Sequence, residues 1–437
     1  MLAFLQSRVF PVLMVNFIGM MGYSLIIPIL VFLVQDFGGN EFIYGIVGSI
    51  YPAFQLIGAP LLGRWSDEIG RKWVLIISQA GTFLAWILFM VALLLPRIDL
   101  LQIDSEYVGA FALSTPLIVL FIARALDGLT GGNVSVANAY LADISTDENR
   151  KANFGLMASS TSLGFILGPA IAGLLSSTIF GTLLPVMIAA GISMLAIFVI
   201  RRFLPESNPK AVDAKLSVLS IRKLFSIEHE ECYEMTDCPD TTLRTVLRMP
   251  GMSILFFIYF INFLGFSFFY AGFPVFASTI LEWSPAELGV FLTVSSLIMV
   301  VFQGPVLTYL GPRVSEGWLV MIGSLLIGLS FISMTFATTA SVYLANVLLS
   351  IGNGIMWPSF LSIFAQRSDP SKQGTIMGYG NSTGSLASIF GLILGGVLFS
   401  RIGPTVFFVG AALLFCITIA SSQLVRGENL NSNESNS

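Results

Sequence analysis

The sequence predicts an all-α polytopic membrane protein: twelve transmembrane helices arranged as two pseudo-symmetric bundles of six. Three observations predict it. Apolar residues make up 55% of the 437 and charged residues only 11%, less than half the share usual in a soluble domain. The apolar surplus falls in long uncharged runs, and about 20 such residues cross a bilayer as a helix. Two separate patterns recur in the second half of the chain, as expected of duplicated halves.

Taken in order, the runs place spans at 9–34, 43–63, 73–96, 115–142, 153–176 and 180–200, then at 251–279, 288–310, 317–338, 341–365, 374–398 and 404–424. The clearest are 152–200 and 318–366, each without Asp, Glu, Lys or Arg and long enough for two helices. Residues 1–8 run straight into the first apolar stretch, which is too long for a signal-peptide core and reads as a spanning helix. The domain division is 1–200 for the first bundle, 201–250 for a polar central loop, 251–426 for the second bundle and 427–437 for a disordered tail. A short surface helix is expected near 215–226.

The repeats support the division. Asn16-Phe17-Ile18-Gly19 is followed by Pro28, and Asn262-Phe263-Leu264-Gly265 by Pro274, with proline 12 residues after asparagine both times. At an offset of 223, Gly131, Ser145, Gly155, Gly168 and Gly173 match Gly354, Ser368, Gly378, Gly391 and Gly396. Duplicated halves of this kind hold a solute between them near the midplane.

Basic residues set the orientation. Of the 21 Lys and Arg, 18 fall in one class of connection, the tails and the central loop. The other face has Arg97 and Arg401 among Asp36, Glu41, Asp99, Asp104, Glu106, Glu282 and Glu287. Both termini and the central loop are therefore expected in the cytosol.

Several classes are disfavoured. The net charge is −4 and no basic stripe exists, so nucleic acid is not an expected partner. One histidine cannot build a His-based metal centre, and Cys232-x5-Cys238 beside His229 reads as incidental in a polar loop. No nucleophile–base pairing appears, so no catalytic residue, metal or cofactor is expected.

The connection after span two reads Gly63-Arg64-Trp65-Ser66-Asp67-Glu68-Ile69-Gly70-Arg71-Lys72. Gly63 and Gly70 permit a tight turn. Asp67 sits where it could face the positive end of a neighbouring helix, and Arg71 and Lys72 anchor the cytosolic face. This stretch resembles the loop 2–3 signature of the major facilitator superfamily, G-x-x-x-D-R-x-G-R-R/K, with Glu68 in place of a base. The resemblance implies a latch on the cytosolic side built from Gly63, Asp67, Gly70, Arg71 and Lys72. The corresponding Gly311-Pro312-Arg313 lacks the aspartate, so the latch is one-sided.

Span four carries Arg124-Ala125-Leu126-Asp127-Gly128-Leu129-Thr130-Gly131-Gly132-Asn133. Arg124 and Asp127 are three apart and share a helix face. An ionisable residue within the bilayer faces a cavity or pairs, and marks function by default. Arg124 stays charged, whereas Asp127 can titrate and is the expected proton carrier; a purely structural ion pair is the plainer alternative. The stretch resembles the superfamily's R-x-x-x-G signature in the form seen in tetracycline-type drug/proton antiporters.

Span five, Gly164 to Gly173 with Gly168 and Pro169, offers small residues for close helix packing and a kink. It resembles the exporter signature G-x-x-x-G-P-x-x-G-G, with Ala172 replacing a glycine, and the resemblance implies efflux. Span one, Gly22 to Pro28, resembles the first-span signature of the same antiporters, although the position nine before the proline, often aspartate, is Gly19. Amides within spans need partners in hydrocarbon, and with aromatics they can line an amphipathic pocket. The pocket candidates are Asn16, Gln55, Asn133, Asn262 and Trp357.

The resemblance implies a major facilitator fold that exports a small amphipathic compound in exchange for protons by alternating access. The expected partners are the small-molecule substrate, protons and the lipid bilayer, with the protein a monomer, in the inner membrane if the source is bacterial. An importer or facilitator of a metabolite or siderophore on the same fold is the second reading, and a non-transporting membrane scaffold the third.

Overall fold

The computed structural model describes residues 9–131, 133–146, 149–207, 243–368 and 373–434. The helices are α1 (Val9–Asp36), α2 (Glu41–Ile69), α3 (Arg71–Leu94), α4 (Thr115–Thr130), α5 (Asn133–Asp143), α6 (Arg150–Ser176) and α7 (Leu183–Phe203), then α8 (Leu243–Leu247), α9 (Met252–Thr279), α10 (Pro285–Val301), α11 (Leu307–Leu310), α12 (Glu316–Met334), α13 (Thr339–Gln366), α14 (Gln373–Ile402) and α15 (Val406–Glu434). Strands β1 (Asp99–Ser105) and β2 (Gly109–Ser114) form one hairpin between α3 and α4. Eleven apolar helical stretches among the described residues are long enough to cross a bilayer, α4 with α5 forming the fourth and α10 through α11 the eighth; the eleventh, Ile376–Val425, runs through α14 and α15 and supplies two spans, which makes twelve. The protein is an all-α, multi-pass membrane protein.

Local chemistry explains where the spans depart from uninterrupted helix. The fourth is interrupted after Thr130, where Gly131 caps α4. The carbonyls freed there are satisfied from neighbouring helices: Ser78 Oγ donates to Thr130 O at 2.5 Å and Gln55 Nε2 to Gly131 O at 3.0 Å. Helix-end carbonyls inside a bilayer need such partners. The eighth span loosens into a π-helical turn, Phe302–Val306, around Pro305, which lacks an N–H.

The sequence missed three features. Helix α2 runs to Ile69 instead of ending at 63, so Gly63 lies within a helix with open space at its Cβ position, and the turn is made by Gly70 alone at φ 102°. The connection between the third and fourth spans is a β-hairpin. The last helix continues to Glu434, beyond the expected boundary at 426. The expected surface helix at 215–226, with Cys232, Cys238 and His229, lies outside the described residues.

The chain divides into two compact units. One comprises Met1–Ile29, Ile50–Ile98 and Ser114–Asp240, the other Leu30–Ser49, Asp99–Leu113 and Thr241–Ser437. The second therefore takes in the ends of α1 and α2 flanking their connection, together with the hairpin. Inside it, Gln35 Nε2 donates to Ser278 Oγ at 2.9 Å and Tyr44 Oη to the Tyr270 carbonyl at 3.1 Å. Asn40 Nδ2 holds the hairpin through the Val108 carbonyl at 2.7 Å, and Arg401 Nε reaches the Tyr107 carbonyl at 3.2 Å.

The repeat seen in the sequence is a repeat in packing. A Cβ on Gly168 would strike Ser24 Oγ and lie 2.7 Å from the Met21 carbonyl of α1. A Cβ on Gly391 would lie 2.5 Å from Ser267 Cβ and 2.9 Å from the Leu264 carbonyl of α9. Each glycine lets its helix reach the backbone of the first helix of its own half.

Candidate functional site

The first unit assembles a polar cluster inside its helices. Arg124 lies nine residues into α4, roughly 14 Å along it at 1.5 Å per residue, well inside a hydrocarbon layer about 30 Å thick. Its side chain is buried, and Nη1 lies 3.6 Å from Asp127 Oδ2, close enough for attraction between charges and too long for a hydrogen bond. The Tyr51 ring of α2 covers the guanidinium at 4.9 Å, a cation–π contact. Tyr23 of α1 packs on Tyr51 with centroids 5.0 Å apart, and Phe165 of α6 meets the Tyr23 ring edge-on at 6.0 Å. Thr82 of α3 hydrogen-bonds the Asp127 side chain. Gln55 completes the group through Tyr51 Oη at 3.3 Å.

Glycine brings these helices together. A Cβ on Gly128 would lie 2.5 Å from the Tyr51 carbonyl, and one on Gly58 would run into the Leu129 carbonyl. The contact of α2 with α4 that these residues permit sets the Tyr51 ring over Arg124. The arrangement can hold a proton on Asp127, offer donors from Arg124 and present phenol faces to a ring. It contains no metal-ligand set, and no group of three or more His, Cys, Asp or Glu side chains able to hold a metal occurs among the described residues.

The remaining pocket candidates separate. Asn16 is buried and clamps α1 to α6, its Nδ2 donating to Ser160 Oγ at 2.7 Å and Thr161 Oγ1 at 2.8 Å, while Oδ1 has no partner. Gly164 and Gly168 serve the same α1–α6 contact; a Cβ on Gly164 would lie 2.8 Å from Met20 Cβ. Pro169 sits within α6 and Gly173 is buried. The Asn133 side chain lies outside the described residues. In the second unit Asn262 is buried with Oδ1 unpartnered. Trp357 meets Tyr259 at 5.3 Å and Phe263 at 5.4 Å, and Tyr259 Oη donates to Asn381 Oδ1 at 2.9 Å. Tyr23, Thr82, Tyr259 and Asn381 escaped selection as site residues from the sequence. For Thr82 and Asn381, a polar side chain within an uncharged span was the available signal.

The motif after span two is built differently from the expectation for Asp67. Asp67 pairs with Arg71 one turn on. The carboxylate at a helix N-terminus is instead that of Glu206, which accepts from Arg71 N at 2.8 Å and Lys72 N at 3.1 Å at the start of α3, where free amides and the helix dipole favour an anion. Arg71 Nε also reaches Asp143 Oδ2 at 3.2 Å, and Lys72 Nζ the Arg201 carbonyl at 3.1 Å. These partners all belong to the first unit. Glu206 was missed because it is near Arg71 only in space.

Comparison with known proteins agrees with this architecture. The chain is 27% identical over 410 residues to the class E tetracycline resistance protein of Escherichia coli, covering 92% of this chain and 90% of that one. It is 25% identical over 402 residues to multidrug resistance protein 2 of Bacillus subtilis strain 168, covering 90% and 89%. Among solved structures, the human organic anion transporter MFSD10 (TETRAN) superposes with a TM-score of 0.65 at 19% identity, over 94% of this chain and 98% of that one. A POT family transporter in complex with a thioalcohol-conjugated peptide gives 0.72 at 15% identity, over 96% of both. These two likenesses speak to the fold alone. The sequence profile of the Major Facilitator Superfamily matches residues 12–250 and 255–433, nearly the whole chain. The protein therefore belongs to the Major Facilitator Superfamily, and is a membrane transporter and not an enzyme.

Proposed function

We propose that the protein exports a small amphipathic compound in exchange for protons, by alternating access. One observation carries the reading: a charge pair, Arg124 and Asp127, stands within a span, where an unpaired charge would be expensive. Asp127 is the proton carrier and Arg124 its electrostatic partner, since the guanidinium does not deprotonate. The tetracycline and multidrug resistance relatives support efflux of an amphipathic substrate, as does the glycine pattern of Gly164 to Gly173. Gln55, Asn262 and Trp357 remain pocket candidates with Asn16 and Asn133. Gly63, Asp67, Gly70, Arg71 and Lys72 form the cytosolic latch. The distribution of basic residues supports cytosolic termini, an inner-membrane location in a bacterial source, and bundles at 1–200 and 251–426. A monomer suffices for this mechanism.

Import or facilitated passage of a metabolite is the second reading, favoured by Gly19 standing where many antiporters of this type carry an aspartate. Everted membrane vesicles separate the two. With an inward-acid gradient, an exporter accumulates substrate, and collapse of the gradient releases it. Asp127→Asn should abolish the accumulation while leaving substrate-for-substrate exchange. Uphill transport that survives the substitution would remove Asp127 from the coupling role.

A further inference from the structure

We infer that the β1–β2 hairpin is a releasable strap on the face opposite the chain termini. It stays fixed to the connection between α1 and α2 and lets go of the end of α14 at each turnover. The inference rests on the alternating-access reading above, in whichever direction the solute moves.

The hairpin depends on its surroundings, since an isolated two-stranded ribbon is marginal in water. β1 is largely exposed and β2 half-buried, so β2 is the strand that packs. Its bonds go to the connection between α1 and α2. Ala112 N donates to the Gly38 carbonyl at 2.9 Å. Asn40 Nδ2 donates to the carbonyls of Val108 at 2.7 Å and Ala110 at 3.3 Å. The Phe42 and Phe111 rings meet at 6.3 Å. Asn40 is also tied to α2, because its Oδ1 accepts from Ile43 N at 3.1 Å in the manner of an N-cap. Gly109 opens β2 at φ 75°, and a Cβ there would stand 3.0 Å from Asn40 Nδ2, so the strand lies close against the asparagine.

The tip is held differently. Arg401, at the end of α14, donates from Nε to the Tyr107 carbonyl at 3.2 Å and lies over the Tyr107 ring at 5.3 Å. Both side chains are exposed. A recess of about 480 Å³, lined by Glu106, Tyr107, Ser400 and Arg401, opens at this contact. Water there screens the charge and competes for the hydrogen bond. One exposed bond and one exposed cation–π contact therefore hold the tip, against three hydrogen bonds and a ring pair at the other grip.

The elements gripped at the two sides also meet each other. A Cβ on Gly396 of α14 would lie 2.7 Å from the Glu41 carbonyl of α2, and one on Gly45 of α2 would run into the Leu392 carbonyl of α14. These two helices come from opposite halves of the chain, and alternating access requires such ends to part so that solute can pass. The hairpin bridges that seam. Parting the seam strains both grips, and the weaker one, at Arg401, gives way.

Spin labels test this without a known solute. They are placed in the full chain with Cys232, Cys238 and Cys416 replaced by serine, with the thermal midpoint of each variant as a folding control. Asp104→Cys with Ile402→Cys spans the tip contact, and Asp104→Cys with Asp36→Cys spans the anchor. Electron–electron distance measurements in nanodiscs should give two distances for the first pair and one for the second. Arg401→Ala should raise the longer tip distance about two- to fivefold in population, the size of one exposed hydrogen bond with its cation–π contact. Arg401→Lys, which keeps a cation over the ring, should raise it less. A reducible bis-methanethiosulfonate joining Glu106→Cys to Ser400→Cys should arrest ethidium transport in everted vesicles, and reduction should restore it. The same link between Phe42→Cys and Phe111→Cys should leave transport unchanged. A single tip distance unmoved by Arg401→Ala would overturn the inference, as would ethidium flux that survives the tip link or arrest by both links. The export reading fails separately. A tip that opens, with no proton-driven accumulation of ethidium, leaves the strap standing and sinks proton-coupled export. Proton-driven accumulation through a linked tip does the reverse.

Discussion

The two halves of the chain kept the same helix packing and diverged in what their interiors contain. Gly168 against α1 and Gly391 against α9 make the same backbone-close contact, and Gly131 and Gly354 each sit against the second helix of their own half, at Tyr51 Oη and Phe302 Cβ. Yet the offset of 223 that aligns these glycines places Val347 and Ser350 opposite Arg124 and Asp127. The first half holds a buried charge pair beneath tyrosine rings. The second holds Tyr259, Phe263, Trp357, Phe360 and Phe364 in mutual ring contact. Backbone-close contacts tolerate no added atom, so they constrain both copies alike. Interior side chains away from those contacts carry no such constraint, and there the copies differ, the first with ionic groups and the second with aromatic area.

Substitutions can break or sharpen that contrast. The largest effect is expected at Asp127: Asp127→Asn should reduce proton-driven accumulation in vesicles to background, whereas Ser350→Ala at the equivalent position should leave it within twofold. Next come the packing glycines. Gly168→Val and Gly391→Val each force a branched side chain into backbone, and overpacking of this kind costs about 1–3 kcal/mol. Both should lower the thermal midpoint of the purified protein, while Gly155→Ala and Gly378→Ala, with open space around the added carbon, should not. If only one of the Val variants is destabilised, the two contacts are not equivalent.

A smaller effect is expected for Trp357→Ala, which removes a ring that touches Tyr259, Phe263 and Phe360. Substrate affinity should fall while the proton dependence of transport stays as it was. The smallest is Glu206→Gln, which weakens the anion at the start of α3. Loss of a charge there costs about 0.3–1 kcal/mol, read as a small drop in the thermal midpoint that shrinks further at high salt.

Much of the site was legible because charge is rare within spans. Arg124 and Asp127 stand out in an otherwise uncharged stretch, and their spacing of three already puts them on one helix face. Tyr23 and Thr82 did not stand out, because one more aromatic or hydroxyl in a membrane helix carries little information until its neighbour across the interface is known. Asn16 shows the opposite difficulty. An amide within a span suggested a pocket, and nothing in the sequence announced that its donors engage Ser160 and Thr161 of α6.

By itself the sequence determined that this chain crosses a membrane in twelve helical spans as a duplicated pair, because burying apolar side chains in lipid depends on run length and charge alone. Only the tertiary structure decided that Tyr51 covers Arg124, that Glu206 and not Asp67 takes the amides at the start of α3, and that the buried guanidinium faces Asp127 without a hydrogen bond to it. Those facts concern residues far apart in the chain, and hydrogen bonds, ring contacts and desolvation depend on distances that only the packed helices set.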